Sequence, residues 1–158
     1  TVRKVFKTSE EITINVMEDE YICEASRKTV TLTSTGDFWV LVKVTDTRWD
    51  IEAGRQRGEG FIREANGTMT CTGESSTLTT ADTPTDSIYT VDKAFVFPKA
   101  FKTIPVVVPV GKGITEYGFA TLKDDVTVSG FTARGGSFND LVELKIAYTA
   151  TGKWYEEV

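Results

Sequence analysis

Histidine is absent from all 158 residues. The commonest general base, the commonest zinc ligand and every Ser-His-Asp or Cys-His arrangement are absent with it. Cysteine occurs only at Cys23 and Cys71, too few for a four-thiolate zinc site. Each lies in an alternating segment, so the pair reads either as buried reduced thiols acting as small hydrophobes or as a disulfide between adjacent strands. No apolar run approaches ~18 residues and no charged-then-apolar leader opens the chain, so neither a membrane span nor a signal peptide is expected. The chain starts at Thr1 rather than Met, which reads as a piece of something longer. Eighteen basic residues face 23 acidic ones, a net charge of −5, and no segment gathers five like charges. Nucleic acid and anionic membrane are therefore poor partners. Nothing calls for a metal or an organic cofactor.

What is present points to strands. Apolar residues make up 40% and charged residues 26%, a globular balance that fits neither a disordered tail nor a fibrous repeat. Threonine is abundant, and β-branched side chains suit pleated surfaces better than helices. Period-two alternation runs through Glu11-Ile12-Thr13-Ile14-Asn15-Val16, Thr29-Val30-Thr31-Leu32-Thr33 and Phe38-Trp39-Val40-Leu41-Val42-Lys43-Val44. Thr35-Gly36-Asp37 predicts a hairpin between the last two, and Ala65-Asn66-Gly67 predicts another, because Asn-Gly tolerates positive φ. Further strands are expected near 48–52, 60–64 and 68–72. The stretch 75–87 is polar and nearly devoid of large apolar groups, the best linker candidate. Beyond it, strands are predicted over 88–97, 104–110, 117–122, 126–132 and 141–150. Pro105 and Pro109 bracket one of them, giving it an unpaired edge or bulges. The Gly-rich stretch 134–140 predicts an exposed loop.

The second half carries four blocks in a distinctive order: Ala94-Phe95-Val96-Phe97-Pro98-Lys99-Ala100-Phe101, Ile104-Pro105-Val106-Val107-Val108-Pro109-Val110, Val126-Thr127-Val128-Ser129-Gly130-Phe131 and Leu144-Lys145-Ile146-Ala147-Tyr148-Thr149-Ala150-Thr151-Gly152. In order and spacing they resemble the H-type lectin domain, similar modules of which tip bacteriophage tail fibres and receptor-binding proteins. The resemblance implies a small antiparallel β-sandwich, assembly as a trimer and sugar binding. It also places a ligand near the stretch after Gly130-Phe131. Phe138, Asn139 and Asp140 stand there: an aromatic face to stack on a pyranose, an amide and a carboxylate for its hydroxyls. The family commonly has tryptophan where this chain has Phe138. The plain alternative is an Asn-Asp turn with Phe138 plugging the edge of a core.

Two further candidates come from residue chemistry. Arg134 suits an acidic or phosphorylated glycan through charge-assisted hydrogen bonds, or is a solvated loop residue. Trp49, flanked by Arg48 and Asp50 and near Arg55, Gln56 and Arg57, suits polysaccharide or protein contact if exposed, or packs in a core or between copies. The Gly54 to Gly60 and Gly111 to Gly113 stretches lack the Lys-Ser or Lys-Thr of a P-loop and read as turns. The acid pairs at 18–20, 124–125 and 156–157 lack the cleft spacing of a glycosidase and read as solvated turns and a terminus. Asp124 and Asp125 do not match a calcium loop. Asn66-Gly67-Thr68 fits a glycosylation acceptor and equally a hairpin turn.

A second region of about 70 residues buries only about 60% of its unfolded surface yet carries many aromatics, so self-association is expected. The full expectation is an all-β chain of two small antiparallel β-sandwich-like domains, 1–74 and 88–158, joined by a 75–87 linker, the second H-type-lectin-like. Function is expected to be non-catalytic: the receptor-binding tip of a phage tail fibre, on the virion tail and extracellular, a homotrimer recognising a host cell-surface glycan beside other virion tail proteins. The rival is a structural trimerisation or baseplate module that binds only virion proteins. A third possibility is an accessory carbohydrate-binding module cut from a depolymerase.

Overall fold

A computed structural model describes residues 3–7, 12–15, 21–22, 29–32, 38–45 and 48–155. Every helix or strand among the described residues is a strand, as the threonine-rich, period-two composition requires. The chain forms two compact units, one of Thr1–Thr70, Phe101–Thr103 and Gly152–Val158, the other of Cys71–Ala100 and Ile104–Thr151. This division differs from the expected 1–74, 75–87 and 88–158 partition at both ends.

In the first unit, β1 (Arg3–Lys7), β5 (Phe38–Lys43), β6 (Arg48–Gly58) and β7 (Phe61–Glu64) lie side by side in antiparallel pairs, with the short β3 (Tyr21–Ile22) parallel to β6. The strands β2 (Ile12–Asn15) and β4 (Thr29–Leu32) form a separate antiparallel pair. This corrects the expected hairpin between β4 and β5: both neighbours of β5 are other strands, β1 and β6. Its turn, Thr35-Gly36-Asp37, lies outside the described residues, as does Cys23. Trp39 and Leu41 face one way along β5 and are fully buried, as their alternation predicts. A register shift between Val40 and Leu41 sits beside Gly54 at φ +125, where a Cβ would stand 2.1 Å from the Phe38 carbonyl oxygen. Only glycine fits that approach.

The predicted Asn-Gly turn is present. Gly67 has φ +81 and donates its N–H to Glu64 O at 3.1 Å, and the Asn66 carboxamide oxygen accepts from Thr68 N at 2.9 Å. The end of the chain closes on this turn. Trp154 Nε1 donates to Glu64 O at 2.9 Å, Tyr155 Oη donates to Ala65 O at 2.7 Å, and the Trp154 ring stacks on Trp39 at 5.8 Å. Turn carbonyls need partners when aromatic rings cover them, and these two donors supply them. That is why residues 152–155 belong to the first unit.

The second unit is a sandwich. One layer holds β8 (Thr68–Glu74), which enters from the first unit, then β14 (Glu143–Lys153), the edge strand β11 (Val106–Gly113) and the short β9 (Leu78–Thr79) on β14. The other holds β10 (Tyr89–Val96), β13 (Gly130–Ser137) and β12 (Phe119–Leu122), in the order β10-β13-β12. Phe95 and Phe131 of this layer meet Tyr148 of the other at ring distances of 5.0 and 5.1 Å, and Phe97 joins them at 5.9 Å. Burial raises the Tyr148 phenol above its ordinary pKa. The 75–87 stretch is part of this body rather than a free linker. Thr80 is buried, its Oγ1 accepting from Val142 N at 2.9 Å, and buried Ser75 accepts from Ile146 N at 3.0 Å. Small hydroxyl side chains bond to backbone and so dock a segment that has almost no apolar anchor. Asp86 and Ser87, both at positive φ, make the tight turn between Thr85 and Ile88.

Truncating Phe131 to Ala is expected to cost about 3–5 kcal/mol of stability. Gly73→Ala is expected to cost about 1–3 kcal/mol, because the new methyl would stand 2.6 Å from the Tyr148 ring. Val96→Ala, on an exposed side chain, should stay within about 0.5 kcal/mol. Urea unfolding followed by near-ultraviolet circular dichroism ranks the three.

Candidate functional site

The Gly-rich stretch expected to be a loop is instead the end of β13. Gly135, Gly136 and Ser137 are buried, and the glycines answer a packing demand. A Cβ on Gly135 would stand 2.8 Å from a Leu144 methyl, and one on Gly136 would stand 2.6 Å from the Phe119 ring. Glycine here lets neighbouring side chains lie against the backbone. The loop begins only at Phe138.

There the chain turns outward. Phe138 is 66% exposed, and Asn139 and Asp140 are exposed beside it. Asn139 N donates to Ser137 Oγ at 3.2 Å, pinning the turn to a buried hydroxyl. Leu141 follows at φ +50 and 60% exposed, a conformation that L side chains of its size rarely adopt. Strain of this kind needs surrounding structure to hold it, and it clusters at functional positions.

The 114–118 loop is tied to this turn. Asn139 Nδ2 donates to Glu116 Oε2, Glu143 N donates to Thr115 Oγ1 at 3.3 Å, and Ile114 N donates to Glu143 O at 2.8 Å. Tyr117 stands 80% exposed on the same loop. The Phe119 ring, lying over Gly136, meets Phe138 at 6.0 Å and 46°. The result is a joined pair of loops presenting two exposed aromatic side chains, a carboxylate and a strained aliphatic. Sequence reasoning did not single out Tyr117 as a site residue. Its only local signal is an aromatic in a polar Thr-Glu-Tyr-Gly turn.

Arg134 lies in mid-strand rather than in a loop. It faces Asp92 of β10 and Thr121 of β12 in register. Its Nε and Nη2 donate to the two Asp92 carboxylate oxygens at 2.8 and 3.2 Å, and Lys123 Nζ reaches the same carboxylate at 2.7 Å. The hydrogen bond from Arg134 and then that from Lys123 hold Asp92 at a pKa of about 2, and the carboxylate in turn raises that of Arg134. Two cations thus share the Asp92 carboxylate, and Asp124 lies near enough to act on Arg134 as well, so cation and acid balance on the outer face of that sheet.

Trp49 belongs to the other unit and is buried, 5% exposed, with Lys43 Nζ 5.7 Å from its ring centre. The position follows the core-packing reading of Trp49 and corrects the alternative of an exposed contact residue. Flanking charges alternate to the opposite face of the strand, so Arg48 and Asp50 pair with each other at 2.6 Å while the indole turns inward. Gln56 is likewise buried, accepting from Arg63 Nη1 at 3.3 Å, and 54–58 is strand, with the turn confined to Glu59 and Gly60.

No family model matches the chain, and no curated protein matches it. Among solved structures it is similar to a C-terminal fragment of the R1 pyocin fibre of P. aeruginosa and to an N-truncated R1-type pyocin tail fibre. Each is 15% identical, with a TM-score of 0.50 over 65% of this chain. The chain spans 28% of the first of these and 87% of the second. The likeness is one of fold: this is a tail-fibre-like β structure.

The Asp92 clamp carries a pH signature. Its pKa is depressed in the folded state, so the stabilisation is complete above the ordinary value near 3.8 and is lost as pH falls from there toward about 2. Asp92→Asn is therefore expected to lower the melting temperature at pH 7, and the gap to wild type to shrink as the pH falls toward 2. Thermal melts at a series of pH values check this, and a gap that persists unchanged at pH 2 would refute it.

Proposed function

We propose that this chain is a non-catalytic adhesion module, the receptor-binding tip of a phage-type tail fibre, exposed on the virion tail and recognising a host surface polysaccharide. The observation that carries the reading is the open loop pair, with Phe138 and Tyr117 outward and Asp140 between the aromatic turn and strained Leu141. Exposed aromatic faces stack on the apolar faces of sugar rings, while carboxylate and amide groups accept and donate to hydroxyls. Asn139 shares its amide with Glu116, so Asp140 is the freer polar partner. The tail-fibre-like fold supports the placement on a tail. A shallow site of this kind binds one sugar weakly, and several copies on one tip recover avidity, so the module acts as a homotrimer.

One observation favours the second reading, a structural module that binds other virion tail proteins. Leu141 and Ile114 are exposed aliphatic groups on the same loops, and aliphatic neighbours suit a protein surface better than a sugar.

Glycan-array and host-cell binding by the wild type, Phe138→Ala, Tyr117→Ala and Asp140→Asn separates the two. The adhesin reading expects binding that falls at least tenfold in each variant, with unchanged oligomer mass. Loss of binding to tail proteins alone, with no glycan bound by the wild type, favours the structural module. Measurable glycan turnover would overturn the non-catalytic reading.

A further inference from the structure

The outer face of the β11 edge differs from the rest of its sheet. Val106, Val108 and Val110 point outward, and with Ile104 just before them they are 55% to 73% exposed, while Val107 between them is buried. Their rung partners on β14 are Thr151, Thr149 and Ala147. Three successive rungs therefore carry no charge. The next rung holds Lys112 and Lys145, which Glu74 bridges at 3.8 and 3.1 Å.

We propose that this strip is the contact through which copies of the chain associate. The proposal rests on the self-assembly part of the function above and assigns it a surface. Charge selects the occupant. Each copy carries a net charge of −5, so copies repel in general and meet most readily where neither presents a carboxylate. An acidic polysaccharide or a nucleic acid would find no cation on these rungs. Area agrees: the four side chains, each more than half exposed, offer roughly 200–300 Å2 of aliphatic surface. That is about a third of the ~800 Å2 each partner gives to a standard interface. It forms the apolar centre of a patch, and Thr149, Thr151 and outward-facing Thr72 form its polar rim.

Proline sets the mode of contact. β11 ends the strand order of its sheet; the chain of β12 lies against its edge at Gly111, where a Cβ would stand 2.2 Å from the Phe119 carbonyl carbon, and only the rest of that edge is placed to invite another strand. Pro105 and Pro109 have no N–H to offer there, which guards the edge against strand addition. Copies then pack through side chains on the face, which suits a closed symmetric assembly rather than an open-ended sheet.

Light scattering on the full chain tests this with the wild type, Val106→Lys, Val108→Lys and Val96→Lys, near-ultraviolet circular dichroism confirming the fold of each. Wild type and Val96→Lys, a control on an exposed β10 side chain, are expected at three times the 17.4 kDa protomer mass. At least one of the two strip variants, folded by dichroism, should dissociate at concentrations at least tenfold higher than wild type. A wild-type protomer throughout would overturn self-assembly itself and the strip with it. A wild-type oligomer that both folded strip variants match would overturn the strip alone, and dissociation of Val96→Lys to the same extent would do so as well.

Discussion

Tyr148 is the side chain on which the second unit depends. It projects from the centre of β14 and meets Phe95, Phe97 and Phe131 at ring distances between 5.0 and 5.9 Å, so one residue joins the two layers of the sandwich. Aromatic groups of this size supply most of the apolar area in a small core, with edge-to-face geometry adding to it. The phenol makes the arrangement more exacting than a phenylalanine would. Burial disfavours its ionised form, and the backbone of β8 must come close enough that only Gly73 fits opposite the ring. With the layers held at this point, β13 lies where Leu144 presses on Gly135, and the chain must emerge from the sandwich after Ser137.

The position of the loop pair follows from that exit. Ser137 is buried and fixes Asn139, Asn139 reaches Glu116, and Glu143 on the following strand holds the 114–118 loop by two backbone contacts. Exposed aromatic groups are thus carried by segments whose backbones are anchored on both sides. Loops placed in this way give up little conformational freedom when a ligand arrives. The strained φ of Leu141 is a cost that this anchoring maintains.

Much of this was legible in the residues. Alternation located β5, β10 and β14 to within a few positions, Asn66-Gly67 marked its hairpin, and the two prolines marked β11 as an edge. Three features were not legible, each for a physical reason. Glycines 135 and 136 carry the ordinary signal of a loop, and only the side chains of Leu144 and Phe119, distant in sequence, turn them into strand. The 75–87 stretch has a linker's composition, yet Thr80 and Ser75 dock it through single hydroxyls that no periodicity reveals. In sequence Trp49 stays open between an exposed contact and a core position because charges flank it, yet in a strand the neighbours of an inward residue are outward by geometry. Of the candidate site, Phe138, Asn139 and Asp140 are legible in the sequence and stand together in the turn; Tyr117 becomes a candidate only through bonds between loops.

The two outer faces of the sandwich differ in a way that links assembly to recognition. On one, Arg134, Lys123 and Asp92 form an ion-pair cluster. On the other, the β11 strip is uncharged, and the strand that carries it runs on through Gly113 directly into the loop that bears Tyr117. Within that single segment, 104–118, the residues suited to self-contact precede those suited to ligand contact by only a few positions. Copies held at β11 would therefore help set the direction of their own loops. On the proposed reading, in which each copy binds a sugar weakly, a fixed direction is the requirement that matters, since avidity is lost when linked sites cannot engage together.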